Sequence, residues 1–118
     1  MEKIEGRPFL MNVEKAMEMV GGDKELLKEL LELFLSDYPA KVSQIREAME
    51  RRDKKTLQEV AHALKGACAN LALEGVYELS LKMEKEAKEG NWEVIEELYK
   101  ELVEELGEIE KKVNPSTL

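Results

Sequence analysis

Between Leu26 and Leu35 a stripe of apolar residues runs through Leu26, Leu27, Leu30, Leu31, Phe34 and Leu35. Pairs recurring every four residues make a wide stripe down one side of a helix and cannot lie on one face of a strand. The same rhythm returns along the chain. It appears in Val13, Ala16, Met17 and Val20; in Val42, Ile45, Ala48 and Met49; and in Leu57, Val60, Ala61, Leu64, Ala67, Cys68 and Leu71. Val76, Leu79, Met83 and Ala87 continue it, followed by Val94, Ile95, Leu98, Leu102, Leu106 and Ile109. No segment alternates strictly or runs through β-branched residues, and no repeat at a solenoid period is present. The chain reads as all-α.

The breaks between stripes set the element count. A short helix spans residues 12–20 and stops at Gly21-Gly22; Asp23 then caps the next helix, which Lys24 and Glu25 open. Pro39 should kink or interrupt that second helix, because proline lacks the amide hydrogen a helix interior needs. The pattern resumes and ends near residues 51–53. A third helix is expected from about Lys55 to Leu73. A fourth runs from near Gly75 to Gly90-Asn91, and a fifth starts near Trp92. Short connections make successive helices pack antiparallel. The expected architecture is an antiparallel four-helix bundle with a short additional N-terminal helix. Residues 1–11 form a lead-in, 12–113 the bundle and 114–118 a frayed tail, since Asn114-Pro115 cannot continue a helix. "IEGR" at Ile4–Arg7 looks like a protease-cleavage linker, but Pro8 would hinder cleavage there, and a native polar lead-in is the preferred reading.

Composition excludes several function classes. The 118 residues suit one domain, and 43% hydrophobic content suffices for a single core, mostly aliphatic because aromatics are 5%. A formal net charge of −8 argues against a nucleic-acid partner, which needs a basic surface. No uncharged apolar run is long enough to span a membrane, and no signal peptide opens the chain. A single cysteine, Cys68, forms no internal disulfide, and a cytoplasmic location follows as the default. Cys68 falls within an apolar stripe and reads as a small buried hydrophobe, as the six methionines read as core filler. No phosphate-binding glycine loop, zinc ligand set or nucleophile–base pair is present, so the chain lacks the parts of a self-sufficient enzyme, and neither metal nor cofactor is expected to bind it. The abundant Glu residues read as solvated helix faces.

One stretch breaks the pattern. "AHALKGACANL" at Ala61–Leu71 holds the only histidine, His62, and one turn later Gly66, a glycine inside a helix where the others sit at segment ends. On a wheel of roughly 100° per residue His62 falls roughly 160° from the centre of the apolar stripe, so it should be exposed. Gly66 is also off the core side, and such a glycine costs about 1 kcal/mol relative to alanine. Broken local rules tend to mark sites. A Cβ at position 66 would crowd a partner approaching His62. Lys65 could set its ammonium beside an anionic group carried on the ring. Gln58 and Glu59 lie one turn before His62, and Ala69 two turns after. Glu59 is placed to hydrogen-bond the ring and fix its tautomer.

These residues resemble the signature of histidine-containing phosphotransfer (HPt) domains: Ala61-His62, Leu64-Lys65-Gly66, the small residues Ala67-Cys68-Ala69, and Leu71. "GGDKELLKELLELF" at Gly21–Phe34 is similar to the family's second-helix opening, and "LKMEKEAKEGN" at Leu81–Asn91 to its fourth-helix end. One departure stands out: Ala72 occupies a position where the family usually has glycine, which bears on the backbone at the end of the third helix. The resemblance implies a phosphorelay intermediate rather than an enzyme. His62 would accept a phosphoryl group from a receiver-domain aspartate or a sensor histidine kinase and pass it to another receiver aspartate. Lys65, Gly66, Ala69, Gln58 and Glu59 would stabilise the phosphate or meet the partner, and Mg²⁺ would come from the partner receiver domain. Two other readings stay open: an adaptor bundle in which His62 is incidental, and a haem held by His62 and a methionine. The outward histidine and the missing Cys-x-x-Cys-His motif argue against the haem.

Overall fold

The computed structural model describes residues 10–118. Five α-helices follow one another: α1 (Val13–Met19), α2 (Lys24–Arg51), α3 (Lys54–Asn70), α4 (Glu74–Glu89) and α5 (Trp92–Lys112), with a closing 3₁₀ turn at Pro115–Thr117. No strand occurs among the described residues. The all-α expectation and the element count hold. The reading of Ile4–Arg7 falls outside the described residues.

The helix starts are written in side-chain chemistry. Asn12 accepts from the Lys15 amide, Asp23 from the Leu26 amide, and Asp53 from the Thr56 amide, all at 3.0–3.1 Å. Each satisfies a donor that the first helical turn leaves unpaired. Asp53 also accepts from the Thr56 hydroxyl at 2.7 Å, and these bonds hold its carboxyl below the usual range. Gly90, at φ 72°, ends α4 in the left-handed conformation glycine adopts without penalty.

Two expectations about helix continuity change. Pro39 does not interrupt α2, which runs as one 28-residue helix through it. Proline removes one ladder bond, and the apolar residues on either side, from Leu27 and Leu31 to Ile45 and Ala48, bury on the same core and hold the helix in register. α3 ends at Asn70 rather than Leu73. The Leu73 amide donates back to the Cys68 carbonyl at 3.0 Å, closing the helix end over Ala72, whose φ is +52°. Alanine thus takes a left-handed conformation here. Ala72 is buried and its carbonyl accepts from the Asn12 amide at 3.0 Å, which seats the start of α1 on this turn. The tail is not frayed: Asn114 accepts from the Ser116 amide at 2.9 Å, and the 3₁₀ turn packs on α2.

The core is aliphatic, built on fully buried Leu27, Leu31, Ile45, Leu57, Leu64, Met83, Ile95, Leu102 and Ile109. Cys68 is buried among them, which pushes its thiol up to about 12 and leaves it unreactive. Of the methionines, Met11 and Met83 are buried while Met19 is exposed. α3 packs chiefly on α4, α4 on α5, and α2 on α3; α2 and α5 meet more sparingly. The α2–α5 seam is tied by two polar contacts. Tyr38 donates to Glu110 at 2.7 Å, and the Arg52 guanidinium lies 5.1 Å from the Trp92 ring centre. Two-residue and three-residue links (Arg52-Asp53, Leu71–Leu73, Gly90-Asn91) reverse the chain between neighbours, giving the antiparallel arrangement.

Candidate functional site

The middle of α3 buries Leu57, Ala61, Leu64 and Cys68 and turns His62 outward. Its side chain is 67% exposed, as the wheel requires. Lys65, one turn on, is only 20% exposed. What holds it is Glu84, projected from the facing stretch of α4. One carboxylate oxygen, Oε2, lies 2.8 Å from His62 Nδ1; the other, Oε1, lies 2.8 Å from Lys65 Nζ. Oε1 is buried and makes no well-aligned hydrogen bond, so its compensation is the ionic contact with the lysine. Lys65 foremost, and then His62, keep the Glu84 carboxyl below its ordinary range against the opposing effect of burial. Glu84 is therefore ionised at neutral pH. A carboxylate can only accept, so in the neutral ring His62 carries its proton on Nδ1 and presents the Nε2 lone pair.

Gly66 sits beside this group with nothing within 4 Å of the place a Cβ would occupy. No internal packing requires the glycine. Gly107, inside α5, is also open at that point, contrary to the expectation that the remaining glycines sit at segment ends. Openness alone does not distinguish Gly66; its place one turn from His62 does.

The remaining residues singled out from sequence do not converge on the ring. Glu59 is exposed and makes no hydrogen bond with His62; the tautomer-fixing contact expected of it belongs to Glu84. Gln58 is half-buried one turn before His62, with no hydrogen bond to it. Ala69 lines a depression with Ala72, Tyr77 and Met19, away from the Glu84 contacts. Sequence reasoning missed Glu84 because it lies 22 residues from His62 on a helix face crowded with other acidic residues. The available signal was its place two turns before Gly90, on a helix bound to run antiparallel to α3.

A family model for the Hpt domain matches residues 29–112 of this chain. The chain belongs to the Hpt domain family. Membership carries a role in histidine phosphotransfer within two-component signalling, as a phosphocarrier module. The fold agrees. The crystal structure of the HPT domain from an Hpt sensor hybrid histidine kinase of Shewanella superposes with a TM-score of 0.76 at 24% identity, covering 86% of this chain and 88% of that one. No curated protein matches this Hpt domain in sequence. No helix among its described residues is long and apolar enough to cross a membrane. Among those residues no group of three or more His, Cys, Asp or Glu side chains is arranged to hold a metal ion.

Proposed function

We propose that His62 is the phosphoacceptor of this Hpt domain, exchanging a phosphoryl group with receiver-domain aspartates or accepting it from a sensor histidine kinase. The observation that carries the reading is the exposed imidazole whose Nδ1 is engaged by Glu84, so that Nε2 alone is offered to a visitor. The Nε2 lone pair attacks the phosphorus of an aspartyl phosphate. The P–N bond forms as the P–O bond to the aspartate breaks, and the aspartate leaves as a carboxylate. Such transfer needs in-line positioning and charge neutralisation more than acid–base chemistry. Lys65 supplies part of that charge, and Mg²⁺ held by the partner supplies the rest. Gly66 gives the partner's acidic pocket room to approach.

A surface for that partner adjoins the site. Leu30, Leu33, Phe34, Ala67 and Leu71 line an apolar groove between α2 and α3, and Leu33 is 65% exposed. An apolar groove beside a reactive group suits a protein partner better than a small anion.

The test is incubation with a phosphorylated receiver domain and Mg²⁺. Label stable to base and labile to acid should appear on the wild-type chain and be lost in His62→Gln. Equal labelling of that variant refutes the assignment. Receiver binding that persists without any labelling of the wild type points instead to an adaptor role.

A further inference from the structure

We infer that the α2–α5 seam is a self-association surface, on which a second copy of this chain docks about a two-fold axis while both His62 rings stay free. The inference stands apart from the phosphoacceptor reading and does not need it.

α2 and α5 close the bundle but meet sparingly, and between them lies an open cleft of about 400 Å³. Its apolar lining is Met49 from α2 with Trp92 and Tyr99 from α5, all half-buried against the core. Along α5, Trp92, Glu96, Tyr99, Val103 and Gly107 follow at spacings of three and four residues, so they share one side of the helix. Val103 on that side is 42% exposed. Gly107 has open space where a Cβ would stand, so nothing within the chain calls for a glycine there. Glycine inside a helix is unfavourable, and here it bares the α5 backbone to a crossing helix. Aromatic and apolar side chains beside a bare stretch of backbone are what a helix contact between chains uses.

The charges select the occupant. The cleft is rimmed by the bases Arg46, Arg52 and Lys100 and by the acids Glu50 and Glu96. Both α2 and α5 contribute both signs. A partner of either single sign would face like charge in the cleft, whereas the same surface turned about a two-fold axis offers acid to base and base to acid. The rim is not locked internally. Arg46–Glu50 at 3.8 Å and Lys100–Glu97 at 3.6 Å are exposed pairs within one helix, which exchange partners at little cost, and Arg52 lies on the Trp92 ring. With a formal net charge of −8, two copies repel over most of their surface, so contact is favoured where bases gather. Neither α3 nor α4 lines the cleft, which leaves His62, Lys65 and Glu84 outside it and open to a receiver.

Sedimentation equilibrium of the full chain from about 1 μM to about 1 mM spans the affinities of weak and transient pairs. The wild type should pass from monomer to dimer with no larger species, because an isologous contact uses up its own surface. Gly107→Leu and Val103→Asp should each weaken the dimer at least about tenfold, the effect of losing one central contact, while circular dichroism shows unchanged helix content. Charge-reversed chains test the pairing itself. Arg46→Glu with Lys100→Glu, and separately Glu50→Lys with Glu96→Lys, should each stay monomeric alone and pair when mixed. A wild type that is monomeric throughout the range overturns the inference. So does a dimer indifferent to both Gly107→Leu and Val103→Asp, since its contact lies elsewhere, and so do reversed chains that fail to pair on mixing. Receiver binding that Val103→Asp abolishes, in a chain that stays monomeric, gives this face to the receiver and overturns the inference as well. Loss of the His62 assignment would leave these outcomes untouched.

Discussion

At the scale of the residue, Gly66 separates stability from function. A Cβ there meets open space, so Gly66→Ala should raise stability by about 1 kcal/mol, the ordinary gain of alanine over glycine inside a helix. A larger side chain, Gly66→Leu, should leave the fold intact and slow phosphoryl exchange, because it occupies the partner's approach. Gly107→Ala is the matched control: an equally open helical position that should gain the same stability with no effect on exchange. Thermal melts and receiver-dependent labelling read the two effects apart. Unchanged exchange in Gly66→Leu removes the clearance argument. Gly66 could be picked out from sequence because it breaks helix propensity beside the one histidine. Glu84 could not, because a single glutamate among many breaks no rule; only the packing of α4 on α3 gives it two partners.

At the scale of the element, the turn between α3 and α4 carries Ala72, where the resemblance leads one to expect glycine. A left-handed alanine costs about 1–2 kcal/mol. Two terms offset that. Burying the Ala72 methyl returns about 0.8 kcal/mol, and alanine loses less unfolded-state entropy than glycine by about 0.4–1 kcal/mol. Ala72→Gly should therefore change stability by less than about 1 kcal/mol in either direction, whereas Ala72→Val, branched at a positive φ, should cost about 2 kcal/mol or more. Urea midpoints of the two variants check this; a strongly stabilising glycine would mean that the methyl packs poorly. The departure at position 72 was visible in the sequence, but its outcome was not. Backbone handedness there depends on the Leu73–Cys68 bond that closes the helix end and on the Asn12 contact, which comes from a distant part of the chain. Pro39 illustrates the same point. Local preference argued for a break, and burial of apolar residues on both sides of it keeps α2 whole.

At the scale of the whole molecule, helix count, order and core were legible because a 3.6-residue rhythm survives any choice of neighbours. The seams were not, since they depend on which polar residues meet. The α2–α5 seam gives a pH signature. Burial first, and then the hydrogen bond to Glu110, raise the Tyr38 phenol from 10.0 to about 12. The unfolded chain releases that proton earlier than the folded one, so stability should fall as pH rises between those values. Tyr38→Phe should flatten that part of the profile, read by denaturant titration across the alkaline range, while costing at most about 1 kcal/mol near neutrality. An unaltered alkaline limb in the variant would assign the loss to other groups.

The three side chains of the site, His62, Lys65 and Glu84, all belong to α3 and α4, which a three-residue link joins and which pack on each other more than on anything else. Closing so short a loop costs little entropy, and the contacts that define the site lie within this one hairpin. Opening of α1 or release of the C-terminal turn, the natural starting points of partial unfolding, leaves the acceptor, its proton holder and its ammonium in register. The outer layers of this bundle can breathe while the group that carries the signal stays set.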